Sequence, residues 1–140
     1  MMRIILDTNV LLVSIGKKSQ YRPIFDAFLQ QKYTLIISND VLLEYAEIIE
    51  FKASALVADN IVELLLSKPN VEKSEIYFKW ELLTIDYDDN KFVDTAIAGN
   101  VDYIVTNDRH FNPLKEIEFP KVEIIKIDDF LEIAKKLINE

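Results

Sequence analysis

Short apolar runs separated by polar turns give this chain its rhythm. Three of them are rich in β-branched residues and stop on small polar residues and a carboxylate: RIILDTN at 3–9, TLIISND at 34–40 and YIVTND at 103–108. Residues 3–6, 34–37 and 103–106 therefore read as buried strands. Helical spacing governs the stretches between them. The nearly unbroken apolar run from Val10 to Ile15 predicts a helix ending near Gly16, and Ile24 to Gln31 predicts a second with Pro23 in its first turn. In residues 39–52, Val41, Leu42, Tyr45, Ile48 and Ile49 recur on one helical face. Residues 55–67 continue as a helix that must stop before Pro69, residues 90–98 form a short helix closed by Gly99, and residues 128–138 form the last one. Residues 122–127 alternate like an edge strand, while residues 70–85 fit one or two short strands.

Strands that alternate with helices imply parallel βαβ units with right-handed crossovers. The expected fold is α/β, a three-layer α/β/α sandwich around a mainly parallel sheet. Only two glycines and four prolines interrupt the chain, and there is no linker, repeat or low-complexity tract. One domain over residues 1–140 is expected, long enough to bury a true core.

Composition narrows the chemistry. Half of the residues are hydrophobic and 29% are charged, as in an ordinary globular protein. No apolar run approaches the ~20 residues that span a bilayer, and the run from Met1 to Leu6 is too short for a signal peptide, so a cytoplasmic protein without membrane contact is expected. The absence of cysteine excludes disulfides and thiolate chemistry, and the single histidine, His110, excludes a poly-histidine metal centre. A metal would have to bind through oxygen. The net charge of −8 opposes a broad duplex-binding surface but not an enzyme that meets phosphate through metal ions.

In an open parallel sheet, ligands bind beyond the carboxyl ends of the strands. Asp7 and Asp108 lie just past two such ends. Polar residues also follow strands in order to cap helices, and that explanation suits Ser38, Asn39 and Asp40 well. It suits Asp108 less, because RHFNPL is a poor helix start. On the helix at 39–52, Glu47 and Glu50 fall on the polar side. Glu44 falls at the margin of the buried face, where its carboxylate either reaches over the sheet or lays its stem on apolar surface. In DYDDNKFVDTAIAG, Phe92, Val93, Ala96 and Ile97 form a buried face. Asp89 sits at the helix N-terminus, as a cap or a ligand. Asp94 falls near the polar side, exposed or in a supporting role. Like charges ~4 Å apart repel by about 4 kcal/mol at an effective dielectric of 20. With no basic residue beside Asp7 or Glu44, a divalent cation is the natural compensation, and oxygen ligands point to Mg²⁺ or Mn²⁺. Such ions suit phosphodiester hydrolysis.

ILDTNVLL, ISNDVLLEY and DDNKFVDTAIAGNVDYIVTNDRHF together resemble the PIN-domain family, and more narrowly the VapC-like toxins of bacterial toxin–antitoxin pairs, through nearly the whole chain. The resemblance implies a metal-dependent endoribonuclease. It implies Asp7, Glu44, Asp89 and Asp108 as the catalytic and metal-binding acids. Asn90 stands where some relatives carry aspartate, so Asp88 or Asp94 could share the third position. Thr8, Asn9, Thr106 and Asn107 would orient ligands and water. The implied partners are an RNA substrate, a protein antitoxin and a second copy of the chain.

Other features admit two explanations each. Lys17, Lys18 and Arg22 suit a solvated loop better than an RNA contact. Arg109 and His110 lie beside the acidic positions, within reach of a phosphate. Tyr77, Phe78 and Trp80 suit core packing first, and a dimer surface or base stacking second. The competing class is a non-catalytic binding or regulatory module on a PIN or flavodoxin-like sheet. A receiver would pair acids after its first strand and carry a lysine after a late strand, and YIVTND supplies none. A haloacid-type phosphatase would want an aspartate where Asn9 stands, and a flap nuclease would need more chain.

Overall fold

The computed structural model describes all residues, 1–140. Five strands form one all-parallel sheet: β1 (Arg3–Leu6), β2 (Thr34–Ile37), β3 (Val71–Lys73), β4 (Tyr103–Val105) and β5 (Ile124–Ile125), in the order β3-β2-β1-β4-β5. The register pairs Ile4 with Leu35 on one side and with Tyr103 on the other. Helices α1 (Thr8–Ser14), α2 (Arg22–Leu29), α3 (Asn39–Lys52), α4 (Ala55–Ser67), α5 (Asn90–Ala98) and α6 (Ile127–Ile138) cover both faces, with α2 against α6 and α3 against α4 and α5. This is the expected three-layer sandwich. No helix is long and apolar enough to cross a membrane.

The central strands are continuous apolar runs because both of their faces are covered. Ile4, Ile5, Leu6, Leu35, Ile36, Ile37, Ile104 and Val105 are all essentially inaccessible. Aromatic residues fill the space beneath the helices. Tyr33 meets Phe130 edge-on at 5.3 Å, and Phe92 stands between Tyr45 and Phe111, 6.4 Å from each ring. Tyr45 donates its hydroxyl to the Leu6 carbonyl, fastening α3 to the end of β1.

Several expected boundaries move. The first helix begins at Thr8 rather than Val10, directly after Asp7, and the second begins at Arg22, with Pro23 in its first turn as expected. The strand expected over 103–106 ends at Val105, although the Thr106 N–H still donates to the Ile125 carbonyl at 2.9 Å. The expected strand at 122–127 shortens to Ile124–Ile125, at the sheet edge. Residues 70–85 hold one short strand, β3, and then an irregular path. Buried Asn90 fastens that path. Its Oδ1 accepts the Leu83 N–H and its Nδ2 donates to the Leu83 carbonyl, both at 2.9 Å. A carboxylate in this position could only accept.

Gly99 closes α5, as expected, but not through a left-handed backbone, since Asn100 takes that conformation (φ 50). Gly99 is required by close packing: a Cβ there would meet Ile36 Cγ2 at 2.5 Å and the Ser74 hydroxyl at 3.0 Å. Gly99→Ala is expected to cost about 1–3 kcal/mol through overpacking. A urea midpoint unchanged from the parent would show that β2 yields without strain.

Candidate active site

β1 and β4 are neighbours, and the Asp7 N–H donates to the Val105 carbonyl at 3.0 Å. Chain order reverses here, with β2 and β3 on one side and β5 on the other, which is where α/β sheets bind ligands. Asp7 and Asp108 leave the sheet side by side. Thr106 links them: its hydroxyl donates to Asp7 Oδ2 at 2.7 Å and accepts the Asp108 N–H at 3.0 Å. Asp7 is only 8% exposed. Burial is the main cause that raises its carboxyl above the ordinary range, against the Thr106 hydrogen bond, with Asp108 and Glu44 adding repulsion.

Asp108 also caps. Its Oδ1 accepts the His110 N–H at 2.9 Å and opens a 3₁₀ helix at Arg109–Glu116. The segment RHFNPL thus supports a 3₁₀ helix, Pro113 included, where an α-helix start was not expected. Asp89 behaves in the opposite way. It holds the N-terminal position of α5 yet makes no capping hydrogen bond, and its Oδ2 is buried without a partner. Its carboxyl is pushed up to about 7, first by burial and then by Asp86, Asp108, Asp7 and Glu44. Asp7, Glu44 and Asp108, the other acids expected from the sequence, thus all act on the Asp89 carboxyl.

Glu44 does reach inward, and there it meets a cation. Its Oε1 pairs with Lys91 Nζ at 2.9 Å and its Oε2 accepts the Thr8 hydroxyl. The expectation that no basic residue stands beside Glu44 is corrected by this contact. Lys91 enters from α5, far away in sequence. Burial opposes its charge, but Glu44 outweighs that cost and keeps the ammonium firmly protonated.

The remaining candidates separate. Asp94 is buried, not exposed; it accepts the Trp80 N–H at 3.0 Å, and its charged neighbours are Lys79 and Glu81. Asp88 is exposed and is absent from the charges acting on Asp7 and Asp89. Asn107 accepts the Ile127 N–H and anchors α6, and exposed Asn9 lines a pocket of about 400 Å³ with Asp7, Asp108, Val10, Val13 and Ile127. Ser38 caps α3, as expected. Tyr77 and Phe78 are exposed rather than in the core, because the irregular segment carrying them lies outside the sheet, and Phe78 stacks edge-on against Trp80. Lys17 and Lys18 are solvated, while Arg22 is tied to Asp26.

Asp86 was not anticipated. It joins Asp89 and His110 in a group whose ligand atoms lie within 4.8 Å of one another. The signal was present in DYDD: acids three apart share a side of a 3₁₀ turn, and Tyr87–Asp89 is one. His110 Nδ1 lies 3.2 Å from Asp108 Oδ1 and 3.9 Å from Asp86 Oδ2. A concentration of carboxylate oxygens, one of them buried and unpartnered, suits a hard divalent cation.

The Asp89 carboxyl gives a pH prediction. Its folded value, about 7, exceeds the ordinary 3.8, so the native state holds the proton more tightly than the unfolded chain. That contribution to stability is complete below about pH 4 and is lost as pH rises through about 7. The metal-free melting temperature should therefore fall more steeply between pH 5 and pH 8 in the parent than in Asp89→Asn. Parallel pH profiles for the two proteins would contradict this assignment.

No curated protein matches the chain. Solved structures share its fold, two of them complexes with DNA. One is VapBC2 from Rickettsia felis bound to a DNA fragment from their promoter, with 23% identity over 89% of this chain and 98% of that one, and a TM-score of 0.61. The other is DNA-bound VapBC from Salmonella typhimurium, with 18% identity over 91% and 99% and a TM-score of 0.60. A family model described as PIN domain matches residues 3–110, a span that runs from the first residue of β1 through Asp7, Glu44, Asp89 and Asp108 to His110. The chain belongs to the PIN-domain family.

Proposed function

We propose that this PIN-domain protein is a metal-dependent endoribonuclease and the toxin of a toxin–antitoxin pair, working in the cytoplasm as a single domain over residues 1–140. The observation that carries the proposal is the convergence of Asp7, Glu44, Asp89 and Asp108 beyond β1 and β4, close enough for each to act on the Asp89 carboxyl.

Asp7, Asp89 and Asp108 would hold Mg²⁺ or Mn²⁺ through carboxylate oxygens, with the unpartnered Asp89 Oδ2 as the anchor and Asp86 and His110 close beside it. Glu44 completes the acidic set. A divalent ion held there supplies Lewis acidity toward water and a phosphate oxygen. The protein's own part is positioning. The Thr106 hydroxyl fixes Asp7 and the loop to Asp108, Thr8 fixes Glu44, and Asn90 holds the segment that brings in Asp86. Arg109, Lys115 and Lys126 line a recess beside Asp108 and offer an RNA strand cations in a chain that is otherwise acidic.

An antitoxin fits the same region. The pocket beside Asp7 and Asp108 has Val10, Val13, Tyr21 and Ile127 on its walls. A partner inserting arginine or lysine toward the acids and packing apolar side chains there would block both metal and RNA. Its association should be fast and salt-sensitive. The two solved complexes of similar fold, both named VapBC, support this reading. Homodimerisation through Tyr77, Phe78 and Trp80 belongs to the same proposal.

Co-expression with the product of the adjacent gene should yield a co-purifying complex without ribonuclease activity. A freely expressed, fully active nuclease with no co-purifying neighbour would remove the toxin assignment and leave the nuclease standing.

A further inference from the structure

The geometry points to Lys91 as a built-in counter-ion that takes the place of a second divalent cation at Glu44, so that the site binds one metal ion through Asp7, Asp89 and Asp108. This rests on the metal-dependent reading above and fixes how many ions that site takes.

Glu44 is the one acid of the four that is paired with an ammonium. Both of its oxygens are engaged, one by the Lys91 ammonium at 2.9 Å and the other by the Thr8 hydroxyl. The pair is sheltered: the Lys91 and Glu44 side chains are 23% and 22% exposed. Solvent and salt therefore screen it less than a surface pair. The two clasping residues are also neighbours of proposed ligands in sequence. Thr8 follows Asp7, and Lys91 lies two residues after Asp89. Glu44 is thereby bound to the segments that carry the metal-binding acids without itself needing to touch the metal.

A pair of catalytic ions sits about 3.5–4 Å apart and needs carboxylate oxygens between them. At Glu44 a second ion would have to displace the ammonium, which is drawn to this spot by Asp40 and Asp88 as well. Lys91 is thus a positioning residue: it holds Glu44 in place and offsets the repulsion that Glu44 exerts on Asp7 and Asp89.

The test is calorimetric titration of Mn²⁺ into metal-free protein, with no substrate present. The parent should bind one ion per chain. Asp7→Asn should lose more affinity than the roughly 10–100-fold that follows removal of a merely supporting group. Glu44→Gln should still bind one ion, with a loss no larger than the lower end of that range. Lys91→Arg should match the parent, and Lys91→Met, with Glu44 freed, should take up a second equivalent. Two ions in the parent, a Glu44→Gln loss equal to that of Asp7→Asn, or a folded Lys91→Met that still takes one ion would each overturn the Lys91 proposal alone. If Lys91→Met does not fold, the parent stoichiometry and Glu44→Gln decide the matter. A parent that binds no Mn²⁺ overturns the proposal together with the metal-dependent reading beneath it.

Discussion

Asp7→Asn is expected to reduce Mn²⁺-supported RNA cleavage by about 10²–10³-fold, because a ligand to a catalytic ion secures several kcal/mol of charge stabilisation and each 1.36 kcal/mol is tenfold in rate. The fold should survive. Asparagine has nearly the same shape and keeps an oxygen to accept the Thr106 hydroxyl. Asp7 is buried beside two other carboxylates, so removing its charge relieves repulsion and desolvation in the metal-free protein. Asp7→Asn should therefore melt above the parent without metal. With saturating Mn²⁺ the order should reverse, since an ion that binds only the folded state adds RT ln(1 + [L]/Kd). Melting curves with and without Mn²⁺, alongside cleavage rates, check both halves. Identical Mn²⁺ responses from the two proteins would show that Asp7 does not hold the ion.

Phe92→Ala is expected to cost about 3–5 kcal/mol, a large share of the 5–15 kcal/mol that keeps a typical domain folded. Phe92 is fully buried on α5, two residues after Asn90 and three after Asp89, with its ring between Tyr45 of α3 and Phe111 of the 3₁₀ helix. Each of those rings belongs to an element that carries a site acid: α3 carries Glu44, and Asp108 caps the 3₁₀ helix. The cavity would lie directly beneath the acidic group, so stability and activity should fall together. Phe92→Leu, which keeps most of the volume, should lose much less. Urea denaturation of the two variants measures the difference, and equal losses would mean that the space does not depend on the ring.

The large elements were legible because the forces behind them are local. β1 and β2 show as β-branched runs, α3 and α4 as helical periodicity, and all four match their expected extents. The layered architecture follows from the alternation alone. The positions of Asp7 and Asp108 were legible as well, because β1 and β4 end close to where their apolar runs end, and helical phase placed Glu44 at the inner margin of α3. What escaped depends on contacts between distant segments. Asp94 looked exposed from its helical phase, but the irregular segment at 74–86 folds over it and supplies the Trp80 N–H. Lys91 could not be assigned to Glu44 until α3 and α5 were seen to pack together. The aromatic row at Tyr77–Trp80 suggested a core strand, yet only Val71–Lys73 finds an edge to pair with. The Asp86 carboxylate is set by a 3₁₀ turn, whose period of three leaves little trace in a hydrophobic pattern.

The most direct test is cleavage of a random-sequence RNA pool by the purified protein, stripped of metal with EDTA and then titrated with Mn²⁺. The proposed function predicts no cleavage in EDTA, cleavage that returns with Mn²⁺, and cleavage by Asp7→Asn that stays about 10²–10³-fold below the parent. A parent that cuts no RNA at any Mn²⁺ concentration, or an Asp7→Asn variant that cuts as well as the parent, would contradict it.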